Sequence, residues 1–126
     1  MITEKIEAQK LKEVDSAILQ HKDIPHADAD FVAESLVEAD LRGVHSHGSM
    51  RLGRYSKELQ EKITKPHPRI STLEEGPAFA RVDGDGGLGP LVGRHAMEIC
   101  IEKATSSGSA TVTACRSRHF GSAGFY

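Results

Sequence analysis

Ala78-Phe79-Ala80-Arg81-Val82-Asp83-Gly84-Asp85-Gly86-Gly87-Leu88-Gly89 is the stretch that decides the fold. Ala78 to Val82 reads as a strand with Phe79 and Val82 on opposite faces. Asp83 to Gly89 is a glycine-rich loop. Beyond it, Leu91 to Thr105 reads as a helix whose turns are marked by Leu91, Val92, His95, Ile99 and Lys103, and Ser106-Ser107-Gly108 ends it. Ala110 to Ala114 is a second strand, carried by the β-branched Thr111, Val112 and Thr113. Strand, helix, strand is the signature of an α/β unit. On the upstream side Glu75-Gly76-Pro77 reads as a turn and Arg69 to Leu73 as a short strand.

Gly84-Asp85-Gly86-Gly87-Leu88-Gly89 also fits the G-x-G-x-x-G pattern between a strand and a helix, where backbone N–H groups can cradle a pyrophosphate. Two features count against that use. Asp83 and Asp85 would put negative charge beside the phosphates, and the next strand ends in Cys115-Arg116 where an acid would be needed for a ribose hydroxyl. A tight glycine turn leading into a helix is the favoured reading.

Upstream lies a helical layer. Thr3 to His21 reads as an amphipathic helix with Ile6, Leu11, Val14 and Ile18 at helical spacing and Thr3 as its N-cap. Pro25 suits the first turn of a second helix, whose apolar face is Phe31, Val32, Leu36, Val37 and Leu41 and whose stop is Gly43. A third helix covers Ser49 to Glu61, with Met50, Leu52, Tyr55 and Leu59 partly buried, and Lys65-Pro66-His67-Pro68 closes it.

Between the second and third helices runs Asp40-Leu41-Arg42-Gly43-Val44-His45-Ser46-His47-Gly48-Ser49-Met50-Arg51-Leu52-Gly53-Arg54. His45 and His47 flank the hydroxyl of Ser46, and Arg42, Arg51 and Arg54 surround them. Imidazole exchanges protons near neutral pH, and a guanidinium holds a carboxylate through two parallel bonds. A base, a hydroxyl and a carboxylate clamp are what a small hydroxy acid needs; a polar inter-helix turn is the plainer alternative. His119 follows the second strand of the α/β unit, at the end where ligands gather. A metal site built from His45, His47 and His119 is a weak third reading. His21, His26, His67 and His95 read as surface or packing residues.

The 126 residues bound a single domain with a modest core. Hydrophobic residues at 38% and charged residues at 27% fit a soluble globular chain, and a net charge of −2 implies no nucleic-acid or membrane partner. No apolar run approaches the length of a membrane span, and the N-terminus lacks a signal-peptide core. Cys100 and Cys115 are too few for a disulfide framework and suit a reducing cytoplasm.

Three blocks together resemble one family. Asp40 to Tyr55 looks like the "DLRGVDSHGVMRLPRY" segment of the malate/L-lactate dehydrogenases, Val82 to Pro90 like their "VDGDGGLGQ" loop, and Ser117 to Tyr126 like their "SNHFGAAGYY" segment. The blocks keep the family's order and spacing. One departure is His45, which stands where the family segment has an acid.

The resemblance implies an NAD- or NADP-dependent oxidoreductase acting on a small 2-hydroxy or 2-keto acid such as malate or lactate, cytoplasmic and homodimeric, with a cofactor domain that is not a Rossmann fold. It places Ser46, His47, Arg51 and His119 along the substrate and nicotinamide pocket, with His47 and His119 as catalytic candidates, Ser46 and Arg51 for substrate, and His119 with Gly121 toward the cofactor. His47 is favoured as the proton carrier, with His119 a close second. Members are far longer, so the chain is expected to be the N-terminal portion of a longer oxidoreductase: a helical layer over 1–66 and the start of an α/β sheet over 67–126, inactive alone and inclined to associate. The alternative is a non-catalytic α/β module that binds a metal or an anion through the histidine turn.

Overall fold

The computed structural model describes residues 4–126. Three helices come first: α1 (Ala8–Gln20), α2 (His26–Leu41) and α3 (Leu52–Gln60). A hairpin follows, β1 (Ser71–Gly76) and β2 (Phe79–Asp83), then α4 (Gly89–Ser107) and β3 (Thr111–Cys115). β1 pairs antiparallel with β2, and β2 pairs parallel with β3, so α4 is the crossover that a parallel pair requires. The mixed α/β architecture and the strand–helix–strand unit are those expected from the sequence.

One core joins the helical layer to the α/β unit. Leu19 and Ile24, Ala29, Val32 and Leu36 of α2, Leu52, Tyr55 and Leu59 of α3, and Leu88 and Leu91 at the start of α4 pack together, with Phe31 and Ile70 at its edge. Val82 is buried while Phe79 faces outward, as an odd spacing on a strand demands. Gly108 ends α4 in the left-handed conformation at φ 83°.

Several details differ from expectation. The described part of α1 starts at Ala8 behind Glu7, and Thr3 as a cap lies outside the described residues. Ile6, Val14 and Ile18 do not form its inner face; Val14 is 55% exposed, and the buried positions are Asp15, Ser16 and Leu19. Two polar residues hold inward positions because each has a partner: Ser16 bonds Asp30 on α2, and Asp15 accepts the Ser49 hydroxyl. Leu41 at the last turn of α2 is 67% exposed and Met50 is 73% exposed, so neither joins the core. The segment Ser49–Arg51 is a 3₁₀ turn and α3 proper begins at Leu52. α3 stops at Gln60, ahead of the prolines, where Lys62 takes a left-handed φ of 57°. β1 begins two residues later than Arg69 and runs through Gly76, which pairs with Phe79, so the turn is Pro77-Ala78. The other two strands are each shifted by one residue.

Candidate active site

The histidine turn is built at the end of α2. Gly43 leaves the helix at φ 75°, and its N–H and that of Val44 bond the carbonyls of Asp40 and Ala39. Two 3₁₀ turns follow, His45–His47 and Ser49–Arg51, separated by an extended Gly48. His47 and Arg51 therefore do not share one continuous helix. The chain is not helical between them, and Arg51 is held instead by donating Nε–H to the carbonyl of Ser46 at 2.7 Å. The Ser46 hydroxyl lies 2.9 Å from His47 Nδ1. His45 turns away from this pair and donates Nδ1–H to Asp40 at 2.8 Å.

His119 arrives from the other half of the chain, on the loop after β3. Its carbonyl lies so close to Gly89 that a Cβ there would collide with it, which seats the loop on the first turn of α4. The His47 and His119 rings end 5.1 Å apart between centroids, tilted by 42°. About seventy residues of sequence thus close onto one pair of imidazoles. Gly121, at φ 90°, donates its N–H to His119 Nδ1 at 3.2 Å. The Tyr55 hydroxyl sits 3.2 Å from the same nitrogen.

The electrostatics follow from this setting. Burial lowers the His119 pKa, and Arg51, the nearby His47 ring and Arg54 lower it further against an opposing Glu58. Burial pushes the Tyr55 phenol up to about 12, so it stays protonated at neutral pH. Tyr55 is the residue that the sequence reading treated only as packing. It is 1% exposed, and a buried tyrosine needs a partner for its hydroxyl; that need was the signal available in the sequence.

The glycine loop is a closed structural knot. Gly84 and Gly86 donate their N–H groups to the carbonyls of Cys115 and Arg116, Gly87 to that of Gly84, and Asp85 to the Asp83 carboxylate. Arg116 grips Asp83 at 2.8 and 2.6 Å, and Lys65 grips Asp85 at 2.7 Å, holding both carboxyls below their ordinary range. Those N–H groups are already committed to partners in the loop and at the end of β3, so they offer no pyrophosphate cradle. Among the described residues no group of three or more His, Cys, Asp or Glu side chains is placed to hold a metal ion, so nothing supports a metal site at His45, His47 and His119. No helix of the described chain is long and apolar enough to cross a membrane.

The family model for malate/L-lactate dehydrogenase matches residues 6–126. The chain belongs to the malate/L-lactate dehydrogenase family. Malate dehydrogenase of Pyrococcus horikoshii is 45% identical over 109 residues, 86% of this chain and 30% of that protein. L-sulfolactate dehydrogenase of Methanocaldococcus jannaschii is 41% identical over 86% of this chain and 32% of its own length. The solved structure of the Pyrococcus horikoshii enzyme superposes with a TM-score of 0.95 at 41% identity, covering 98% of this chain and 35% of that one. The chain therefore spans about a third of the length of these relatives. Within this family, the helical layer and the α/β unit are shared with the larger dehydrogenase fold.

Proposed function

We propose that this chain forms the proton-transfer and substrate-holding part of an NAD(P)-dependent oxidoreductase that interconverts a small 2-hydroxy acid and its 2-keto acid, with malate, lactate or sulfolactate as candidates. The observation that carries it is the His47–His119 pair at 5.1 Å with Arg51 alongside. A nicotinamide supplies the hydride when bound, and this chain supplies position and the proton.

Residue roles follow from the ring nitrogens. A backbone N–H can only donate, so Nδ1 of His119 carries a lone pair and the proton of the neutral ring sits on Nε2. His119 is then a hydrogen-bond donor toward a substrate oxygen, and taking up a proton would break the bond from Gly121. His47 has no such lock. Its Nδ1 faces a hydroxyl that can donate or accept, so the ring can change tautomer and present Nε2 as either donor or acceptor. His47 is the proton carrier on this reading. Arg51 holds the substrate carboxylate, and Ser46 orients the ring beside it.

The residues present fit a nicotinamide ring at one place and dinucleotide phosphates at none within the glycine loop. The His47 ring and the Gly121 N–H lie against His119, whereas the N–H groups of Gly84, Gly86 and Gly87 are spent on carbonyls and that of Asp85 on the Asp83 carboxylate. His119 and Gly121 would face the ring. A homodimer in the cytoplasm completes the reading; the free thiols of Cys100 and Cys115 suit a reducing compartment, and the exposed Leu41, Val44 and Met50 offer apolar contact surface.

The test is oxidation of NADH and NADPH with oxaloacetate, pyruvate and sulfopyruvate, followed at the nicotinamide absorbance in the intact enzyme. Turnover with one of them that falls away in His47→Ala supports the reading. Turnover that survives intact in His47→Ala removes His47 from the chemistry.

A further inference from the structure

Ser49 is gripped from two sides. Its N–H donates to Asp40 Oδ2 at 2.7 Å, and its hydroxyl donates to Asp15 Oδ2 at 2.6 Å. Asp40 stands in the last turn of α2 and Asp15 in the middle of α1, so two helices meet on one residue. The other oxygen of Asp40 accepts the His45 ring at 2.8 Å. The same carboxylate occupies the space where a Cβ on residue 48 would stand, so Gly48 is glycine for clearance; its extended backbone would suit any residue. His47 lies between the two points that Asp40 holds, His45 and Ser49.

We propose that Asp40, backed by Asp15 through Ser49, is the positioning residue that fixes the histidine turn on the helical layer and thereby aims His47 at the substrate. The inference rests on His47 being the proton carrier. Neither carboxylate touches the substrate on this view. They act by denying the turn its freedom, and a turn holding a proton carrier has little to spare: a misplacement of about 1 Å can cost about 10²-fold in rate.

Three variants test it in the intact enzyme with oxaloacetate and NADH. Asp40→Ala should lower kcat by about 10²-fold while the KM for NADH stays within about twofold. Asp40→Asn keeps an oxygen for the Ser49 N–H and should recover about tenfold of that loss. Ser49→Ala removes only the link to Asp15 and should give an intermediate loss, and it decides the matter with Asp40→Asn if Asp40→Ala does not fold. Folded variants with kcat at the wild-type level would overturn the proposal, as would equal losses in all three with no rescue by asparagine. Side-chain ¹⁵N resonances of the His47 ring separate this result from the fate of the functional reading. If the wild type turns over no 2-keto acid, the functional reading fails, while a shift of the His47 resonances toward free imidazole in Asp40→Ala still supports the clamp. Unchanged resonances would sink it.

Discussion

The backbone N–H of Gly121 donates to Nδ1 of His119 at 3.2 Å, and that bond leaves Nε2 as the ring nitrogen that carries the proton. It exists because Gly121 takes φ 90°, a region that side-chain-bearing residues rarely adopt. Gly121→Ala should strain the loop by about 1–3 kcal/mol and turn the N–H away. Freed of its lock, His119 should sample both tautomers. The expected outcome is a higher KM for the keto acid together with a lower melting temperature. Tyr55→Phe, which removes the second donor near Nδ1 but leaves the Gly121 bond, should have the milder kinetic effect.

His119 also predicts a pH dependence of stability. Its folded pKa lies below the ordinary imidazole value of about 6.5, so the unfolded chain takes up this proton first as pH falls. Stability is then retained above that value and declines as pH drops through it toward the folded pKa. Thermal melts of the wild type and of His119→Gln between about pH 7.5 and 5 should converge on acidification, since the variant lacks this titration. Parallel curves would show that the ring is not depressed.

Asp15 behaves in the opposite sense. It is 2% exposed, and burial raises its pKa, with Asp40 adding to the rise and the Ser49 hydroxyl opposing it. An ionised Asp15 therefore costs stability at neutral pH, and the cost disappears as pH falls through its folded pKa. Asp15→Asn keeps an acceptor for Ser49 and removes the charge. Its melting temperature should equal or exceed that of the wild type at pH 7, with the difference closing in acid. A clear loss at pH 7 would show that the charged bond to Ser49 outweighs burial.

What the sequence made legible follows from what periodicity can see. The strand–loop–helix–strand order at 78–114 could be read because glycines, β-branched residues and apolar spacing all agree there. The inner face of α1 could not, because Asp15 and Ser16 sit inward on bonds to Ser49 and Asp30, residues from other parts of the chain. The same blindness hid Asp40 and Tyr55: each is defined by a partner distant in sequence or by a backbone atom. His47 and His119 were legible as candidates by their motifs, but their approach depends on the Gly89 contact, which no spacing reveals.

Arg51 is the expected carboxylate holder, and its own anchor shapes the test. Nε–H is committed to the Ser46 carbonyl, so the guanidinium terminus is what remains for a substrate. Lysine keeps the charge but has neither the Nε–H anchor nor the planar fork. Arg51→Lys should raise the KM for a 2-keto acid by at least about tenfold, in line with the loss of about 1.4 kcal/mol or more that a charge-assisted pair represents. An unchanged kcat/KM would place the carboxylate elsewhere.

The two histidines should fail differently when removed. His47 sits beside a hydroxyl that tolerates either tautomer, while His119 is locked as an Nε2–H donor by a backbone bond, and its pKa is lowered by burial and by the neighbouring Arg51 and Arg54. A proton carrier must gain and lose a proton within one cycle, and only His47 can do so without breaking a backbone contact. In the intact enzyme His47→Ala should lower kcat by about 10²–10⁴-fold, the usual contribution of positioned acid–base transfer, and flatten the pH profile of kcat. His119→Ala should act mainly on KM, because a lost donor weakens binding of the substrate oxygen in ground and transition states alike. Steady-state kinetics across pH for both variants give the answer. If His119→Ala abolishes the pH dependence while His47→Ala changes only KM, the lock on Nδ1 opens during turnover and the roles of the two rings are exchanged.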